Sequence, residues 1–90
     1  MYSLEPTPTE VSKALAKKFR IVRKQLKLSQ EEMAERSGVS LGSLKRFESS
    51  SKISLESLLK LMHLLGRLNE FDLILRENEN KDDIRKLFTQ

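Results

Sequence analysis

The stretch SQEEMAERSGVSLGSLKRFE, residues 29–48, decides how the rest of the chain must be read. Ser29 is a favoured N-cap residue, and Glu32 three positions later completes a capping box, so a helix is predicted from Gln30. Met33 and Ala34 supply its inner side, while Glu31, Glu32, Glu35 and Arg36 face water. Gly38 ends it, because glycine accepts the positive φ that closes many helix C-termini. Val39 is an apolar plug in the turn. Ser40 then caps a second helix beginning at Leu41, whose inner face is Leu44 and Phe47, three apart. Gly42, Ser43, Lys45 and Arg46 are left outside. Two short helices joined by a tight turn are expected.

Upstream, Thr7-Pro8-Thr9-Glu10 is a helix start: Thr7 caps, Pro8 occupies the first helical position, and Glu10 closes a box. The helix is predicted to run to about Lys27, burying Val11, Leu15, Phe19, Val22 and Leu26. Its other faces carry Lys13, Lys17, Lys18, Arg20, Arg23, Lys24 and Lys27, with no acid between Val11 and Leu28, a face suited either to phosphates or to simple solvation. Downstream, Ser49-Ser50-Ser51-Lys52 reads as a polar loop and Ile53 as a buried anchor. Ser54 caps a fourth helix with Glu56 in its first turn. Leu55, Leu58, Leu59, Met62 and Leu65 are assigned to its inner face, which leaves Leu61 and Leu64 outside and in need of cover; Gly66 ends it. A fifth helix is expected through Leu68, Phe71, Ile74 and Leu75 to about Arg76. Residues 77–81 read as a break, and Asp82 and Asp83 open a last short helix with Ile84, Leu87 and Phe88 on one face. The predicted organisation is a flexible arm (1–6), a helical domain (7–76) and a C-terminal helical extension (77–90).

Ninety residues make one domain with a small core. The absence of cysteine excludes disulfides and thiolate metal sites. No apolar run is long enough to span a membrane, and the first residues lack the pattern of a secretory signal, so a soluble cytoplasmic protein is expected. His63 is the single histidine and has no second ligand at metal-binding spacing. Capping and solvation explain the carboxylates, and no phosphate loop or nucleophile signature is present. The chain is therefore expected to be no enzyme and to carry no cofactor. The net charge of +4 is unevenly spread, +5 over residues 1–60 and −1 over residues 61–90. The basic part coincides with the two-helix unit, as release of counterions from phosphates favours.

Small Ala34, the corner at Gly38 and the buried Leu44 are the parts of a helix-turn-helix, which offers the start of its second helix to the major groove. From roughly residue 13 to residue 66 the chain resembles the XRE family of lambda-repressor-like regulators. That resemblance implies an all-α, five-helix lambda-repressor-like domain with a short C-terminal extension, binding double-stranded DNA as a homodimeric repressor. It places Leu41, Gly42, Ser43, Lys45 and Arg46 toward the groove, Gln30 on a phosphate, and the Ser50 and Lys52 loop on the backbone. Arg46 is the candidate base reader, since a guanidinium bonds guanine O6 and N7 together, and Leu41 can meet a thymine methyl. The family also pairs the positions of Arg23 and Glu48 in a partly buried salt bridge. Leu64, Leu68, Phe71 and Leu75 form the expected dimer or partner seam, with intramolecular cover by residues 82–88 as its alternative. The segment SLESLLKLMHLLGRLNEFDLIL further resembles small HipB-like antitoxins, which implies a HipA-type toxin as partner. Two departures stand out. Gly42 replaces a long polar reader, and the loop at residues 49–52 carries one charge. They keep open a protein-interaction module with this fold and little DNA affinity.

Overall fold

The computed structural model describes residues 5–76. In order they form α1 (Pro8–Gln25), α2 (Gln30–Ser37), α3 (Leu41–Ser50), α4 (Leu55–Leu64) and a 3-10 helix (Leu68–Leu73). The described residues are helical or connecting, in keeping with the expected all-α class. The last helix expected at residues 82–88 lies outside them, as does most of the N-terminal arm.

Each of the four α-helices starts where a hydroxyl can receive an orphan backbone N–H. Thr7 Oγ1 accepts from the Glu10 N–H at 3.1 Å, Ser29 Oγ from Glu32 at 3.0 Å, Ser40 Oγ from Ser43 at 3.1 Å, and Ser54 Oγ from Ser57 at 3.1 Å. The reciprocal half of the box forms at Ser29, whose N–H donates to Glu32 Oε1 at 2.9 Å. Bonds from the Ser29 N–H and hydroxyl favour the ionised carboxylate and hold Glu32 below the usual carboxylate range. At Thr7 the hydroxyl half is the one present.

The core is Ala16, Phe19, Met33, Ala34, Val39, Leu44, Phe47, Leu58, Leu61 and Met62. α1 packs on α3, α2 on both α3 and α4, and the 3-10 helix on α4. Phe19 and Phe47 meet as tilted rings, centroids 5.5 Å apart.

Several expectations need correction. α1 stops at Gln25, and Lys27 turns the chain with φ 59°. Its buried stripe is Ala16, Phe19 and Arg23, flanked by half-buried Leu15 and Val22. Val11 and Leu26 are exposed because the long helix overhangs the core at both ends. α3 continues through Ser50, so the loop begins at Ser51, where φ is 65°. The Ser49 and Ser50 hydroxyls donate back to the Arg46 carbonyl in this last turn. In α4 Leu58 and Met62 face the core as expected, but Leu61, expected outside, is 0% exposed and Leu55, expected inside, is 66% exposed. Leu55 is the first helical residue, where a side chain leans back past the helix start and away from the core. The fifth helix is a 3-10 segment of 6 residues ending before Ile74.

Candidate nucleic-acid interface

The turn between α2 and α3 is tied by several local hydrogen bonds. Gly38 closes α2 at φ 80°, and its N–H reaches the Ala34 carbonyl at 3.0 Å. Ser37 Oγ accepts the Val39 N–H at 3.1 Å and donates to the Ala34 carbonyl, which seats Val39 in the core. Leu44 and Phe47 then fix the inner face of α3 against Phe19 and Met33. The outer face follows from the same periodicity. Gly42, Lys45 and Arg46 are exposed there, and Ser43 is half-buried. Lys45 and Arg46 make no ion pair among the described residues.

One carboxylate fixes α3 relative to its neighbours. Arg23 from α1 reaches Glu48 with Nε at 2.6 Å from Oε2 and Nη2 at 2.9 Å from Oε1. The side chains are only 8% and 4% exposed. Nη1 donates to the Leu28 carbonyl at 2.8 Å, so the guanidinium also holds the α1–α2 connection. Its hydrogen bonds to Glu48 raise the Arg23 pKa above its ordinary value and keep it charged despite burial. Gln30 Nε2, at the start of α2, donates to the same Glu48 Oε1 at 3.1 Å. α1, α2 and α3 therefore converge on Glu48, and among the described residues no buried side-chain polar atom lacks a partner.

The expected DNA-facing residues fall into two sets. Gly42, Lys45 and Arg46 form an open outward row, and Lys52 is exposed beyond it. Ser43, Arg46 and Lys52 share a cleft of about 390 Å³ with Ile53, Ser54 and Ser57. Leu41, Gln30 and Ser50 carry structural contacts as well. Leu41 packs on the core, half-buried. Gln30 uses one amide N–H on Glu48 and keeps the other. Ser50 spends its hydroxyl proton on the Arg46 carbonyl at 2.7 Å. Sequence reasoning missed Ser54 and Ser57 as cleft residues, having read Ser54 solely as a cap; the signal was their place just after Lys52, at the start of α4.

The family model described as Helix-turn-helix matches residues 19–71, more than half of the chain. The chain belongs to the XRE-family helix-turn-helix proteins. No curated protein and no solved structure matches it significantly. As an XRE-family protein it is a DNA-binding helix-turn-helix regulator, from a family that is regulatory rather than enzymatic. Among the described residues no cluster of potential ligands is arranged to hold a metal ion, and no helix is long and apolar enough to cross a membrane. His63 is exposed on the last turn of α4.

The residues expected at a dimer or partner seam differ in exposure. Leu64 and Phe71 are half-buried against the core, because the 3-10 helix folds back on α4. Leu68 is exposed at its edge, and Leu75 stands 97% exposed beside exposed Leu73 and Ile74.

Proposed function

We propose that the chain is a homodimeric repressor that reads an operator with α3. The observation that carries this reading is the division of α3 into two sides. Leu44, Phe47 and Glu48 lock the inner side, while Arg46 and Lys45 stand outward with no ion-pair partner among the described residues. A cation held outward on a fixed helix is disposed to bond guanine O6 and N7 in a major groove. Lys45, Ser43, the second Gln30 amide proton and Lys52 are suited to phosphates beside it. Occupying a promoter requires no effector domain. Gly42 removes one direct reader, which shifts discrimination toward Arg46 and DNA shape. Affinity measured against salt tests the reading. Phosphate contact predicts a steep fall in affinity with rising salt, and a flat response favours an interaction module instead.

Dimerisation is supported by open Leu73, Ile74 and Leu75, an apolar group that follows the DNA-reading unit. Two copies joined there would present their α3 helices to half-sites about 34 Å apart. Changing Leu73 and Leu75 together to Glu should leave the domain folded, make it monomeric in sedimentation, and weaken operator binding steeply. A wild type that stays monomeric at high concentration, free and on DNA, contradicts dimerisation. The narrower likeness to HipB-like antitoxins makes the same segment a candidate contact for a HipA-type toxin, testable by co-purification with the product of a neighbouring gene.

A further inference from the structure

The family match begins at residue 19, yet the first two turns of α1 share a cleft with the end of α3 and the loop after it. Thr9, Ser12 and Lys13, three and four apart, share one face of α1. With Ser50, Ser51 and Lys52 they wall a cleft of about 200 Å³. No carboxylate lines it. Glu10 lies around the helix, beside Val11, Ala14 and Lys18 in a different depression.

The donors in this cleft can be counted. Ser50 has committed its hydroxyl proton to the Arg46 carbonyl. The Thr9, Ser12 and Ser51 side-chain hydroxyls make no hydrogen bond among the described residues, and Lys13 and Lys52 make no ion pair there. Two cations and three free hydroxyls with no opposing acid suit a group that is anionic and rich in acceptor oxygens. Lys52 also lines the cleft that holds Arg46, Ser43, Ser54 and Ser57. Lys52 thus lines both clefts, one holding Arg46 and the other Lys13.

We infer that this second cleft is a phosphate seat for the DNA strand flanking the bases met by Arg46. Lys13 and Lys52 bracket one phosphate, and the Thr9, Ser12 and Ser51 hydroxyls donate to its oxygens. The assignment rests on the DNA-binding reading above and extends its footprint to the part of α1 that precedes the family match. It also distinguishes among the α1 lysines: Lys24, eleven residues further along, lies about 17 Å from Lys13 by helical rise and serves no such seat.

The test is a salt titration of binding, by fluorescence anisotropy, with the full chain and duplexes of selected and random sequence. Wild type is compared with Lys13→Gln, Lys24→Gln and Arg46→Ala. Lys13 is exposed, so an unchanged unfolding midpoint should confirm that its variant is folded. Lys13→Gln should weaken all duplexes alike, several-fold, keep base preference, and reduce the salt slope by about one. Lys24→Gln should leave the slope near wild type. An unchanged slope in Lys13→Gln, or an equal loss in both lysine variants, overturns the seat, the second result meaning that α1 acts as a diffuse positive field. If Arg46→Ala still alters preference in that case, the DNA reading survives without the seat. A wild type that binds no duplex removes both.

Discussion

Residues 29–50 and residues 67–76 are both helical and both leucine-bearing, but they are finished differently. In the first region each helix start has a hydroxyl cap, Gly38 closes the corner, and Met33, Leu44 and Phe47 are almost entirely buried. Glu48 is bonded to two other helices at once. In the second region the 3-10 helix has no side-chain cap and no buried residue, and its ion pair, Arg67 with Glu70, is local and exposed. Leu73, Ile74 and Leu75 stand open. The contrast separates two tasks. Side chains that must meet base edges at fixed positions need a helix whose orientation is over-determined from behind. A segment with few buried contacts opens at low free energy, and its exposed apolar side chains are the ones the proposed dimer would cover.

The comparison is broken most severely at Glu48. Arg23→Ala or Glu48→Ala should each cost about 3–5 kcal/mol in urea unfolding, because a buried charge is left without its partner. The double variant should lose less than the sum of the singles. Single losses below about 0.5 kcal/mol, or strict additivity, would show that the first region does not depend on this pair. Next in size is the boundary between the regions, α4. Leu61→Ala should cost about 2–5 kcal/mol and Leu55→Ala less than about 0.5. Equal losses would restore the register expected from the sequence. The smallest effect has the opposite sign. Gly42 is helical and a Cβ there meets nothing within 4 Å, so Gly42→Ala should stabilise by about 0.5–1 kcal/mol. A destabilised Gly42→Ala would mean that the outer face of α3 is less open than described.

These contrasts also explain what the sequence could reveal. Thr7, Ser29, Ser40, Ser54 and Gly38 mark helix ends through strictly local bonds, and local bonds are legible in a chain of letters. Leu44 and Phe47 were readable because polar residues surround them and leave one apolar face. α4 was not, since LESLLKLMHLL has leucines on several sides and periodicity alone cannot choose among them. The choice is made by α2, which packs across it and buries Leu61. Arg23 sits in the apolar period of α1, where residue type argues against burial, and only family resemblance pointed to its pairing with Glu48. α3 runs past its expected end to Ser50, and the chain turns only at Ser51, where φ is 65°. The clefts at Lys52 join residues from α1, α3 and α4, a proximity no local pattern encodes.

In the proposed function, α3, held from behind by Glu48, reads bases through Arg46. Selection of binding sites from a random duplex library, run side by side for wild type and Arg46→Ala, tests it most directly. The variant should lose about 1–3 kcal/mol at the wild-type site and relax preference at one base position. An Arg46→Ala protein that keeps the full wild-type preference, or that weakens equally on every sequence, would contradict it.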